Sequence, residues 1–194
     1  MQGVDFIMGA MLTGSEIYKQ FLQGTIEINP FDPNRINPNS YDLHIGNKVT
    51  EYQTTYETIP GGCIDPVKGQ VPGTYTKELE EGERYVIYPN RLYLIPTKER
   101  VFTKHYVPLI TGRSSIGRYG ISVHQEAGFG DIGFNGHWTL CLTSLYPFAI
   151  YPGMRIAQIY FLTPEGSIDR LYHGKYQNAD GAIPSRLVED FRTK

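Results

Sequence analysis

Between Thr111 and Ile121 the chain reads GRSSIGRYG (112–120), a run of groups well suited to holding an anion. Gly112, Gly117 and Gly120 permit close backbone approach, so that N–H groups can cradle a charged oxygen. Arg113 and Arg118 carry planar forks that match phosphate oxygens, and Ser114 and Ser115 add short hydroxyl donors. Composition by itself leaves a solvated basic turn as the alternative. A second glycine-rich stretch, GFGDIG at 128–133, has the G-x-G-x-x-G spacing of dinucleotide sites. That chemistry needs a strand before the glycines and a helix after them, so that the pyrophosphate meets a helix N-terminus. The residues that follow, FNGHWTLCLT, read as another strand. A tight β-turn displaying Asp131, a residue able to hold a water or a ribose hydroxyl, is the better account. No Walker lysine motif is present.

His124-Gln125-Glu126 matches half of the zinc deaminase signature. The other half needs two closely spaced thiolates, and the two cysteines, Cys63 and Cys141, lie far apart. Zinc is therefore not expected, and any deamination must activate water with protein groups alone. The same cysteine spacing gives no disulfide framework and fits a reducing compartment, hence a cytoplasmic setting. Asp42, after INPNSY, reads as a turn or cap residue. His137 and Trp138 fit an alternating strand. Arg155 and Gln158, three apart in GMRIAQIYF, are expected on opposite strand faces.

These groups must be positioned by a mainly β scaffold. The 194 residues suit one large domain or two small ones, and no linker divides the chain, so a single domain is expected over 1–194. Fifteen Tyr, 19 Ile and 15 Thr against six Ala disfavour long helices and favour strands. The formal charge of −2 offers nothing to coat a nucleic acid or an anionic membrane, and no run approaches the roughly 18 apolar residues of a span. Residues 12–23 predict a helix, with Ile17, Phe21 and Leu22 on one face, Ser15 or Thr13 as cap and Gly24 as stop. Short runs then recur: Tyr41–Ile45, RYVIYP, RLYLIPT, VPLITG, ISVHQ, HWTLCLT, FAIYPG and IAQIYFL, separated by Pro or Gly. Residues 53–82 read as an irregular insertion, and 1–11 as disordered or an extension. Residues 165–194 read as a C-terminal arm ending in a short helix.

The order of the motifs adds what no single motif carries. SYDL, GRSSIGRYG, AGFGDIGFNG, PGMRIAQ and GKYQNADG resemble the successive motifs of the dCTP deaminase and dUTPase superfamily over residues 12–186. The LTGSEI helix, INPNSYDL and the tail resemble the dCTP deaminase branch. The resemblance implies a dUTPase-like β-barrel or β-clip, of distorted jelly-roll type, in a homotrimer with active sites between subunits. It implies Mg²⁺ held by the nucleotide's phosphates, with no direct protein ligand, and dCTP or dUTP as the small-molecule partner. Arg113, Ser114 and Ser115 would hold the triphosphate, Ser114 also placing the reacting water, and Arg118 would reach in from a neighbouring subunit. The backbone of Val123, His124 and onward to Ala127 would read the pyrimidine edge, and Asp131 would face the sugar. Gln158, Tyr172, Lys175 and Gln177 would close over the phosphates.

One departure bears on the chemistry. Deaminases of this branch read T-L-E where this chain reads Thr139-Leu140-Cys141. The missing Glu is the general acid–base, and its loss is expected to cost on the order of 10²–10⁴ in rate. A thiol, with a reference pKa of about 8.5, is a poor replacement. Where the family has Thr, this chain has Glu126, which suggests one carboxylate lost and another gained within one pocket. Three functions follow: a dCTP deaminase, with diphosphate release as an optional second step; a dUTP or dCTP diphosphatase using Asp131; or a non-catalytic nucleotide-binding relative.

Overall fold

The hydroxyl of Thr13 accepts the N–H of Glu16 at 3.3 Å, the capping bond that opens the first helix. In the computed structural model, which describes residues 10–53 and 59–192, this helix, α1, runs Gly14–Leu22. Of the two candidate caps, Thr13 takes the role. Ile17 is fully buried, whereas Leu22 is 67% exposed and Gln20 is buried instead. Gln20 tolerates burial because its amide donates to Glu16 at 2.7 Å and its carbonyl accepts the hydroxyl of Thr25.

Eleven strands follow among the described residues: β1 (Ile26–Asn29), β2 (Tyr41–His44), β3 (Lys48–Tyr52), β4 (Thr74–Glu78), β5 (Tyr85–Ile87), β6 (Tyr93–Thr103), β7 (Val107–Gly112), β8 (Ile121–Ser122), β9 (Asn135–Ser144), β10 (Phe148–Ile150) and β11 (Arg155–Leu162). A helical turn, α2 (Ser114–Gly117), links β7 to β8. The architecture is mainly β, as the composition requires. The largest sheet has the order β4-β3-β6-β9-β8, with β1 also on β6, and smaller sheets have the orders β2-β11-β7 and β10-β5. The pairings are antiparallel.

Ile45, Ile95, Leu140, Leu142, Ile156 and Phe161 form the centre of the core and are almost fully buried. β9 shows how the core orients the site. Trp138, Leu140 and Leu142 are buried, so the alternation of the pleat turns His137, Thr139 and Cys141 to the opposite, half-buried face.

Part of the insertion at 53–82 is regular. Thr74–Glu78 forms β4 along β3, supported by a 2.8 Å bond between the Thr50 and Thr76 hydroxyls, and TYTKE has the Tyr and Thr that suit such an edge. Residues 54–58 lie outside the described residues. So do residues 1–9 of the expected extension, while Ala10 already accepts the N–H of Thr163 at 3.0 Å.

The arm from residue 165 packs along β9. Asn178 donates to the Asn135 carbonyl at 2.8 Å, His137 to that of Ala179 at 3.0 Å, and Ile183 to the Thr139 hydroxyl at 3.0 Å. Gly136 permits this approach, since a Cβ there would stand 2.8 Å from the Ala179 nitrogen. The helix expected at the end of the arm is a 3-10 turn, Leu187–Asp190.

Candidate active site

The GFGDIG stretch leads into β9, and no helix follows it. It is pinned to β7, the Gly128 carbonyl accepting from Ile110 at 2.6 Å and the Gly130 N–H donating to Pro108 at 2.9 Å. Gly130 lies against Trp138, whose ring would stand 2.4 Å from a Cβ at this position. Asp131 is thereby carried, exposed, at the rim of a cavity of about 420 Å³.

Glu126, Ala127 and Asp131 from the loop, Cys141 from β9 and Tyr172 from the arm line this cavity together. Phe134 meets Trp138 and Tyr172 edge-on, with ring centroids 5.5 and 6.0 Å apart. The wall is thus largely aromatic, with a few polar groups, the usual make-up of a small-molecule site. His124 also lines it, and neither of its buried ring nitrogens has a hydrogen-bond partner among the described residues; the same holds for Trp138 Nε1. Such orphan groups await a ligand or solvent partner. Burial lowers the His124 pKa below the ordinary imidazole value, and burial raises that of the Cys141 thiol.

A second, more open cavity of about 580 Å³ is lined by Gly112, Arg113, Ser114, Val123 and the same His124, Glu126 and Ala127. The 124–127 segment therefore lines both cavities, with the anion-suited turn in one and Asp131 in the other. Ser114 and Ser115 begin α2 and are exposed, as is Arg118 at its end. Neither Ser115 nor Arg118 lines either cavity of this chain.

Asp42, read as a turn or cap residue, is instead a strand residue buried to 2% exposure. Its Oδ1 lies 3.2 Å from Nε of Arg113 and its Oδ2 3.4 Å from Nη1 of Arg155, and Nδ2 of Asn37 donates to Oδ1 at 2.9 Å. Nothing in the spacing of SYDL announces partners more than 70 residues away. The two-face assignment of Arg155 and Gln158 is also corrected. A register shift between Arg155 and Ala157 breaks the strict alternation. Arg155 reaches Asp42, the very residue that Gln158 faces across the ladder, so both flank one carboxylate.

In the arm, the amide of Gln177 is engaged by backbone: Oε1 accepts from Asn135 at 2.9 Å, and Nε2 donates to Gly133 at 2.8 Å and to Tyr172 at 3.1 Å. Lys175 is paired with Asp190 at 2.6 Å and lines neither of these cavities. Tyr172 alone of the expected tail ligands lines the first cavity. Phe134 and Trp138 complete its wall and were legible only as strand residues. No group of three or more His, Cys, Asp or Glu able to hold a metal occurs among the described residues. No helix among them is long and apolar enough to cross a membrane.

The family profile of dCTP deaminase-like proteins matches residues 11–163, which puts the chain in a class of nucleotide hydrolases. A "dCTP deaminase, dUMP-forming" of Leptospira biflexa is 42% identical over 184 residues, 95% of this chain and 99% of that one. One of Clostridium beijerinckii is 41% identical over 181 residues, 93% of this chain and 98% of its own length. The chain belongs to the dCTP deaminase-like family. Among solved structures, the 2'-deoxycytidine 5'-triphosphate deaminase of Agrobacterium tumefaciens shares the fold, with a TM-score of 0.59 and 22% identity over 80% of this chain. This chain spans about half (49%) of that longer one.

Proposed function

We propose that this protein deaminates dCTP, taking dCTP and water to dUTP and ammonia, with release of diphosphate to leave dUMP as a second hydrolytic step. The relatives named for dUMP formation support this reading over 93% and 95% of the chain. The observation that carries it is that Glu126 and Asp131 share one aromatic-walled cavity with Cys141. In this reading Glu126 does the acid–base work at the ring, taking a proton from water and returning it to the base and the departing ammonia. Asp131 faces the sugar and the water of the second step. Arg113, Ser114 and Ser115 bind the triphosphate, which brings Mg²⁺ on its own oxygens. The donor set fits that arrangement, because one guanidinium-bearing and two hydroxyl residues attract phosphate oxygens without competing for the ion.

Arg118, which lines neither cavity of its own chain, supports a site completed between subunits of a homotrimer, where Arg118 of one copy meets the loop of another. Tyr119, Leu145 and Tyr146, exposed by 66%, 69% and 67%, give the apolar surface such an assembly would cover. The reducing setting fits two unpaired cysteines.

A second reading is a diphosphatase that leaves the base untouched, favoured by the half-buried thiol at position 141, whose pKa burial raises and which is therefore a poor base. One incubation with dCTP and with dUTP, followed by separation of products, tests these. Ammonia from dCTP supports deamination. Pyrophosphate from either nucleotide without ammonia supports the second reading, and binding without turnover overturns both.

A further inference from the structure

Asp42 of β2 is buried and touches the anion-suited turn through Arg113. A carboxylate with only 3% of its side chain exposed is costly to bury unless charges and hydrogen bonds surround it. Here both oxygens are occupied: Arg113 Nε at 3.2 Å and Asn37 Nδ2 at 2.9 Å on Oδ1, Arg155 Nη1 at 3.4 Å on Oδ2. Arg113 is the residue immediately before α2, and its backbone N–H donates to Ile156 of β11 at 3.1 Å. It is therefore held twice, by its main chain to β11 and by its guanidinium to Asp42 of β2. The contact is made through Nε, and Arg113 lines the open cavity, where a guanidinium can take up an anion. One carboxylate between two guanidiniums also leaves one surplus positive charge beside the turn, and it keeps the two cations from repelling each other apart.

We propose that Asp42 is a positioning residue for triphosphate binding, acting through the guanidinium of Arg113. The inference rests on the phosphate role proposed above for GRSS. Its mark is conditional: removing the carboxylate should matter only while Arg113 is present to be positioned.

Calorimetric titration with inorganic triphosphate tests this on the full chain, using wild type, Asp42→Asn, Arg113→Gln and the double variant, with thermal midpoints recorded alongside. Asp42→Asn should weaken binding about tenfold in the wild-type background and by less than about twofold in the Arg113→Gln background. Equal affinity of Asp42→Asn and wild type, or the same fold-loss in both backgrounds, overturns the proposal. Wild type that binds no triphosphate overturns the phosphate role of the turn itself, a separate result visible before any variant is compared. Should Asp42→Asn fail to fold, Asn37→Ala removes only the amide bond to Oδ1. It is expected to weaken binding about two- to fivefold, again only with Arg113 in place, and unchanged affinity overturns the idea.

Discussion

The backbone N–H of Cys141 donates to the carbonyl of Val123 at 3.0 Å, which fixes the thiol beside the segment that carries His124 and Glu126. This pairing brings Cys141, the departure from T-L-E, beside the segment that carries Glu126. Burial keeps the thiol protonated, so at neutral pH it offers no base. Glu126 and Asp131 are the carboxylates on the wall of the same cavity. Glu126 is exposed.

Glu126→Gln is accordingly expected to lower ammonia release from dCTP by on the order of 10²–10⁴. Cys141→Glu should raise it, by restoring a carboxylate to the β9 face. Ammonia assays on the purified variants decide the matter: equal release by Glu126→Gln and wild type removes Glu126 from the chemistry.

Thiol reactivity gives a second check, independent of turnover. Cys63 is exposed, whereas Cys141 is half-buried with its thiol pushed to higher pKa. Iodoacetamide near neutral pH should label Cys63 well before Cys141, as followed by peptide mass spectrometry, because the thiolate is the reacting form. Faster labelling of Cys141 would mean an activated thiol and a different site.

How much of this was legible beforehand follows from the range of each interaction. β9 and β11 were readable because their alternation is local, and α1 because Thr13 and Gly24 bracket it. Thr74–Glu78 escaped notice since five polar-looking residues become a strand only through β3. Asp42 was misread for the same reason, its partners Arg113 and Arg155 being distant in sequence. Motif order located Glu126, Asp131 and Cys141, but not the aromatic wall, because Phe134 and Trp138 look alike as core or as lining. The arm's contacts with β9 depend on Gly136, whose missing side chain leaves no positive signal in a sequence.

The buried imidazole of His124 sets an acid limit on stability. Its pKa in the fold lies below the usual 6.5, so the unfolded chain takes up the proton first as pH falls. Stability from this group is complete above pH 6.5 and is lost as the pH drops from there through the folded value. His124→Gln should flatten the fall in melting temperature over that window, measured by thermal denaturation across pH. An unaltered profile would assign the acid sensitivity elsewhere.

Gly130 allows no side chain beside Trp138. A methyl group there would stand 2.4 Å from the indole, so Gly130→Ala must displace a buried ring. A loss of about 1–3 kcal/mol is expected from such overpacking. Denaturant titration reads it directly, and Trp138 fluorescence should shift in the native baseline. Wild-type stability would show that the indole moves freely, contrary to its 6% exposure.

The arm lines the aromatic cavity, and Gln177 makes three bonds there, to Asn135 and Gly133 outside the arm and to Tyr172 within it. At about 0.5–1.5 kcal/mol each, their loss in Gln177→Ala amounts to roughly 1.5–4.5 kcal/mol, enough to open the arm without unfolding the sheets it covers. Amide exchange should therefore quicken by about tenfold or more between 172 and 183 while β6 and β9 keep their protection. Truncation after Pro164 carries the same argument further, since β11 ends at Leu162 and keeps its ladders to β2 and β7. The shortened chain should fold, with nucleotide binding weakened because Tyr172 no longer walls the cavity. Full affinity after truncation would show that the arm is a structural strap with no part in holding substrate.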